Sequence, residues 1–318
     1  QPEQLTTTSK TESNNNIVAI KMLRIIHSKE QMKETGQHEI EMVSLINEKD
    51  KDEQFCCVKM YRHFEDKGCV CLVMEAMESN LRQFLKVIGQ GDGIGIQGVR
   101  FYGRQLALAC YHLKHNCNMI HADFKPDNIL VNKEKSLLKL GDFGSASFVS
   151  DNTPTPYLVS RWYRAPEVIL GLTYGFPMDT WSLGCCLYEM YTGSVMFQGE
   201  TNNHMMQLFL KVCGLPSKKL LRRGVFTHHY FDQNLTTFLF QRTDKVTGAK
   251  YVSKLNFSQT PTRNLHRELS LATTSSNHVS QVNQLAKLLT RIFVIDPNKR
   301  ISIQQVLTSD FFKISEKK

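Results

Sequence analysis

The hydrophobic pattern of this chain changes character near Asn80, and that change limits the fold more than any other feature of its 318 residues. Before Asn80 the apolar runs are short and β-branched. Residues 17–23 (IVAIKML) read as a buried strand. Residues 29–48 place apolar side chains at 40, 42, 43, 45 and 46 among charges, the pattern of an amphipathic helix. Residues 55–63 and 69–77 read as two strands joined by Glu65-Asp66-Lys67-Gly68. After Asn80 the period is helical. Residues 99–116 carry a long apolar face, and 179–191 (DTWSLGCCLYEMY) are apolar nearly all round, which predicts a helix at the centre of a domain. Further helices are predicted near 202–213, 281–294 and 302–309, and a hairpin over 238–257 turning near Thr247-Gly248. Residues 1–16 are rich in Thr, Ser and Asn and read as a disordered or loop segment. The expected class is α+β, with a small β-rich part followed by a larger, mainly helical one.

Charge changes sign at the same place. Through Glu78 there are 10 basic and 14 acidic residues; from Asn80 onward there are 29 and 16, so −4 and +13 make the overall +9. Two lobes with different surfaces account for this. No run approaches the length of a membrane-spanning helix, so no membrane association is expected. The nine cysteines are odd in number and form no C-x-x-C pair, which excludes a recognisable disulfide framework or zinc motif and favours buried thiols.

Three polar clusters interrupt the apolar pattern. Lys21 closes the strand Val18-Ala19-Ile20-Lys21, and a buried ammonium needs an anion. Glu39, on the inward face of the amphipathic helix, is one candidate and Glu41 its neighbour; a Lys that snorkels from a strand end is the simpler alternative. The second cluster, His121-Ala122-Asp123-Phe124-Lys125-Pro126-Asp127-Asn128, gathers carboxylates, a cation and an amide in a loop broken by Pro126. The third, Asp142-Phe143-Gly144, follows the apolar run 137–140. Asn128 and Asp142 offer hard oxygen donors suited to Mg²⁺, an ion held by few protein ligands plus phosphates.

Together V-A-I-K, Glu39, H-x-D-x-K-x-x-N, D-F-G and Ala165-Pro166-Glu167 resemble the eukaryotic protein kinases over nearly the whole chain. The resemblance implies a bilobed fold, with an N-lobe at 17–76 and a C-lobe at 77–318. It implies ATP and Mg²⁺ as cofactors. Lys21, paired with Glu39, would hold the α- and β-phosphates. Asp123 would orient the substrate hydroxyl and accept its proton, Lys125 would neutralise the γ-phosphoryl, and Asn128 and Asp142 would hold the metal. Adenine would lie between Ala19 and Leu130, against backbone groups of Glu75 and Met77 and behind Met74. Val43, Met60, His121 and Phe143 would form an apolar stack linking the lobes. Gly144 completes D-F-G, Glu167 would pair with Arg300, and Asp179 would be a buried acid of the C-lobe.

One part of that pattern is displaced. No glycine occurs before Val18, so the glycine-rich phosphate loop and the first strands of the N-lobe are expected to be missing. The run Gly93-Ile94-Gly95-Ile96-Gln97-Gly98 matches G-x-G-x-x-G but falls in the C-lobe, where it reads as a flexible connection. Either the sequence is a truncated kinase, which would bind ATP·Mg poorly by itself, or it is a kinase-like scaffold without catalysis.

Tyr157-Leu158-Val159-Ser160-Arg161-Trp162-Tyr163-Arg164 and the insert 215–280 resemble the group of cyclin-dependent, MAP, dual-specificity tyrosine-regulated and CDC-like kinases. The usual Arg of the catalytic loop is replaced by Ala122. With T-N-N-H-M and F-D-Q-N-L in the insert, the chain is similar to the pre-mRNA-processing factor four family of splicing kinases. That resemblance implies Ser/Thr specificity, spliceosomal protein substrates, a monomer, and nuclear rather than cytoplasmic localisation. It also implies activation by phosphorylation of Tyr157, which the kinase itself could carry out, with Arg161 and Arg164 as phosphate partners; a packed loop tyrosine is the alternative. Lys218-Lys219-Leu220-Leu221-Arg222-Arg223 reads as a nuclear-localisation or anion-docking patch, or as a solvated helix face. No aromatic interleaving or RNA-binding motif accompanies it, so no direct nucleic-acid partner is expected.

Overall fold

A computed structural model describes residues 6–9, 17–23, 29–151, 157–244, 247–272 and 278–313. The first part of the chain builds a four-stranded antiparallel sheet, ordered β1-β2-β4-β3, from β1 (Thr6–Ser9), β2 (Val18–Leu23), β3 (Met60–Asp66) and β4 (Cys69–Glu75). Helix α1 (Lys29–Glu48) crosses between β2 and β3 and buries Ile40, Met42, Val43 and Ile46. The hairpin β3–β4 turns on Lys67 and Gly68, both at positive φ (48° and 77°), the geometry that matches strand twist in a two-residue turn. Residues Glu65 and Asp66, expected in the turn, are strand residues.

Two expectations change here. Thr6–Ser9 is a strand, so the segment 1–16 is not wholly loop; its other residues lie outside those described. The β-branched Thr6-Thr7-Thr8 pairs with Lys21, Ile20 and Ala19 and covers what would be an open edge of β2. At least one strand therefore precedes the V-A-I-K strand. Strand β3 begins at Met60 rather than at 55, because Cys56 adopts positive φ (55°) and Cys57 instead bridges to Leu140.

A short strand β5 (Ser79–Asn80) carries the chain out of the small sheet and pairs with β7 (Ile129–Val131). Then come α2 (Leu81–Ile88) and α3 (Ile96–His115). Asn80 caps α2 through a reciprocal box with Gln83, a stop-start signal that the sequence reading missed. Ile96, Gln97 and Gly98 of the displaced glycine motif belong to α3, so that run forms no phosphate loop. β6 (Met119–Ile120), β7, β8 (Leu138–Leu140) and β9 (Ser147–Phe148) frame the catalytic loop and the D-F-G segment.

The large lobe gathers around α5 (Phe176–Thr192), in which every residue from Met178 to Tyr191 is buried. Glycines let its neighbours close in: a Cβ at Gly103 of α3 or at Gly184 of α5 would collide with Leu187 or Ile292. α4 (Pro166–Leu170) precedes α5; α6 (Asn202–Cys213), α7 (Lys218–Leu221), the ribbon β10 (Thr237–Thr243) and β11 (Lys250–Asn256), α8 (Leu265–Leu271), α9 (Val279–Ile292) and α10 (Ile303–Leu307) follow. No helix among the described residues is long and apolar enough to cross a membrane.

One buried ion pair ties α4 to the end of the lobe. Arg300 donates to both Glu167 oxygens at 2.6 and 2.7 Å, with both side chains wholly buried. Its remaining donors go to the carbonyls of Val294 and Pro177, and its plane lies 5.0 Å from the Trp181 ring. Removing one partner strands a charge in low dielectric, which costs about 3–5 kcal/mol. Arg300→Leu should therefore lower the thermal unfolding midpoint by several degrees, and Glu167→Leu/Arg300→Leu should lose less than either single variant.

Candidate active site

Sequence folds this site by bringing strand ends and tight turns from both lobes to one cleft. From the small lobe, Lys21 on β2 reaches Glu39 on α1 at 2.5 Å and Asp142 at 2.7 Å. Burial alone would lower the Lys21 ammonium; Glu39 and Asp142 outweigh it and hold it above its ordinary value. Glu41, the neighbouring candidate, is exposed and accepts from Gln37 instead. Asp142 stands at left-handed φ (60°), and burial, which would raise its carboxyl, is overcome by Lys21, so it stays below the usual carboxylate range. A Cβ on Gly144 would lie 3.3 Å from Glu39 Oε2, so the glycine allows the close approach of α1. Phe143 is buried edge-on to His121, with ring centres 5.4 Å apart. Val43 is also fully buried, while Met60 is half-buried.

From the large lobe, the catalytic loop converges on Asp123. Lys125 donates to Asp123 Oδ2 at 2.6 Å. Asn128 donates to the Asp123 carbonyl (2.9 Å) and to Oδ2 (3.1 Å). Ser160 donates from its hydroxyl (2.8 Å) and its backbone N–H (3.1 Å) to Oδ1, and accepts from Lys125 at 2.9 Å. Ser160 was not among the residues singled out, although it lies inside the motif that ends in Arg164. Because both Asn128 amide protons point at Asp123, its amide oxygen is left for another partner. That oxygen and the ionised Asp142 carboxylate form a hard, two-donor set. Such a set fits a Mg²⁺ that takes its other ligands from phosphates and water.

Below the loop, Asp179 accepts from the backbone N–H groups of His121 (2.7 Å) and Ala122 (3.2 Å). Ala122 is held at φ 62°, a costly conformation for a residue with a Cβ. His121 reaches the Gly141 carbonyl at 3.0 Å and so joins this loop to the D-F-G turn.

At the junction of the lobes, Ala19 pairs with the buried gatekeeper-position Met74, and Leu130 lies half-buried on β7. The Glu75 N–H donates back to Lys59, and Glu78 N–H to Val131. The Met77 N–H has no backbone acceptor among the described residues. The Glu75 carboxylate is held from behind by Lys139 at 2.7 and 2.9 Å. Lys139 alternates with Leu138 and Leu140 in β8, and nothing local marked its partner 64 positions away.

The activation segment is described from Tyr157 on; 152–156 lie outside the described residues. Tyr157 is 77% exposed. Arg161 is exposed, whereas Arg164 is buried, donating to the carbonyls of Tyr157, Leu158 and Val159 and to Asn202. Burial and the nearby Arg161 push the Arg164 guanidinium down to about 10.

With this arrangement in place, the chain belongs to the protein kinase family, whose domain matches residues 6–312. It is 39% identical over 291 residues to the serine/threonine-protein kinase prp4 of Schizosaccharomyces pombe, covering 91% of this chain and 60% of that protein. It is 38% identical over 309 residues to the serine/threonine-protein kinase prpf4B of Dictyostelium discoideum, covering 96% and 37%. The DYRK-family kinase pom1 of S. pombe is 32% identical over 290 residues, covering 91% and 25%. The chain thus spans between a quarter and three fifths of the length of these relatives.

Glu39→Gln should weaken binding of a fluorescent ATP analogue about tenfold, the scale of one lost charge-assisted contact. Glu41→Gln should leave that titration curve unchanged.

Proposed function

We propose that this chain is the catalytic domain of a serine/threonine kinase that transfers the ATP γ-phosphoryl to hydroxyls of pre-mRNA splicing factors. The convergence of Lys125, Asn128 and Ser160 on the Asp123 carboxylate carries this reading. A substrate hydroxyl replacing Ser160 as donor to Asp123 would be aligned and relieved of its proton there. Its oxygen then bonds to the γ-phosphorus as the β–γ bridging bond breaks and ADP departs. Lys125 supplies positive charge beside the transferring group, and Lys21 orients the α- and β-phosphates. Mg²⁺, when bound by Asn128 and Asp142, would neutralise phosphate charge. Adenine fits between Ala19 and Leu130, with the Glu75 carbonyl and the Met77 N–H at its edge. The similarity to prp4 and prpf4B supports the Ser/Thr class, and the family resemblance supports splicing substrates, nuclear location and a monomer.

Asp123→Asn should lower kcat for radiolabel transfer by roughly 10²–10⁴-fold, the contribution of a positioned general base, with ATP affinity retained. Tight ATP·Mg²⁺ binding without any transfer by the unaltered protein would make it a scaffold instead.

Activation by Tyr157 phosphorylation belongs to the same proposal. Arg164 is a buried cation whose acceptors are all neutral, and Ala122 contributes none of the positive charge usual in the catalytic loop. A phosphate brings about −1.5 to −2 charges, which would offset the repulsion between Arg161 and Arg164. Tyr157→Phe should reduce kcat several-fold, and phosphatase treatment of the unaltered protein should reduce it equally. Unchanged kcat in both would dismiss the switch.

A further inference from the structure

The chain's excess positive charge is concentrated in one region that the transfer chemistry does not use. Residues 201–267 hold eleven Lys and Arg against two acids, Asp232 and Asp244, an excess of nine that equals the net charge of the whole chain. No acid occurs between Glu200 and Asp232. The densest part is α7 and the turn after it. Ser217 caps this helix by accepting from the Leu220 N–H, and Leu220 and Leu221 are buried. With that side anchored, Lys218, Lys219, Arg222 and Arg223 are all exposed. The Arg222 N–H donates to the Lys218 carbonyl at 3.0 Å, which closes a turn and brings two cations together. Lys219 and Arg223 repeat the spacing. Like charges so placed repel. None of the four forms a salt bridge among the described residues. Asp232, the nearest acid in sequence, accepts the N–H groups of Thr236 (2.9 Å) and Thr237 (3.0 Å).

This patch is joined to the activation segment. The turn after α7 bonds to the end of α4, with Val225 N–H to the Gly171 carbonyl at 3.3 Å and Phe226 N–H to that of Leu170 at 3.0 Å. Further on, Tyr230 lies close to Tyr157 and is hydrogen-bonded to Asn202, which also accepts from Arg164. Val225 is 62% exposed, an apolar foothold among the cations. A segment bound here is held against the elements that follow Ser160, which touches Asp123.

We propose that the patch is a docking surface for an acidic segment of the protein substrate, a run of Asp and Glu side chains away from the phosphorylated hydroxyl. Docking itself stands apart from the kinase reading above; its effect on transfer rests on that reading. The four cations are spread along a turn and fixed by no partner. They are not pre-organised into the fork that a single phosphate rewards, and they suit a string of carboxylates. Nearby, Tyr230 and Phe231 are buried and Phe226 is half-buried. The turn therefore offers charge without an exposed Phe, Tyr or Trp on which a nucleic-acid base could stack.

Fluorescence anisotropy of labelled peptides tests the docking. A run of Asp and Glu long enough to span the four cations should bind the unaltered chain about tenfold tighter than the same run in Asn and Gln, the worth of a few exposed ion pairs. Raising salt from about 0.15 to 1 M shortens the screening length from about 8 to 3 Å and should erase the difference. Lys218→Glu/Lys219→Glu/Arg222→Glu/Arg223→Glu should lose the acidic run and gain a Lys-rich one by a similar factor, a gain that a misfolded chain could not show. In transfer, a serine peptide joined to the acidic run by a Gly-Ser linker of about twenty residues, reaching roughly 25 Å, should have KM about tenfold below the untailed peptide at equal kcat. The fourfold variant should abolish that advantage and leave the untailed peptide's kcat unchanged. Equal binding of the acidic and neutral runs, equal KM with and without the tail, or an advantage that survives the charge reversal overturns the proposal. So does a phosphoserine peptide or an oligouridylate of equal charge that binds tighter than the acidic run and is lost with the same variant. Docking with no transfer by any form would sink the kinase reading and leave the docking surface standing.

Discussion

The buried carboxylate of Asp179 is the constraint on which the site depends. It lies at the start of α5, the most completely buried helix of the large lobe, and accepts two successive backbone N–H groups from the catalytic loop. Burial pushes its carboxyl up, opposed by His121 and the two N–H donors. Those bonds hold Ala122 at positive φ, and the turn there aims Asp123 and Lys125 at Ser160. A rigid hydrophobic helix therefore sets the position of a polar loop, and the loop's strain is balanced by packing that it does not itself supply.

The ionic contacts divide by exposure, and with it by role. Glu167–Arg300 is wholly enclosed and has further acceptors for every remaining donor, so it behaves as a fixed part of the lobe. Lys21 is different. It divides its charge between Glu39 on a helix and Asp142 on a turn, and Asp142 remains 30% exposed. A cation shared by two acids from separate elements can release one when another anion arrives, as the proposed phosphate-holding role would require. Arg82, which donates to Asp127 and Glu189, is intermediate, closed at Glu189 and open at Asp127.

Much of this was legible in sequence, for reasons that also explain the rest. Local periodicity marked the long helices α1, α3, α5, α6 and α9, whose apolar faces repeat over several turns. The chemical residues stood out because polar groups cluster where apolar strands end. Short elements such as α2, α4 and α8 escaped because they span few turns, and their caps carry the signal. Strand β1 escaped because Thr-rich sequence suits a loop or an edge strand equally, and only the open side of β2 decides between them. Lys139 and Arg82 escaped for another reason. Each is a single charged residue whose meaning lies in partners 64 and 107 positions away.

Ala122 links these observations. A catalytic-loop arginine would bring a cation beside Asp123 and toward the activation segment; alanine brings none. Besides Lys125 at Ser160, the segment's own positive charge is that of Arg161 and Arg164, three residues apart and close enough to repel. Neutral carbonyls and Asn202 meet the Arg164 donors. Asp127 and Glu189 take their cation from α2, in Arg82. Arg164 and Arg82 are thus separate cations, the first met by neutral acceptors and the second by two carboxylates.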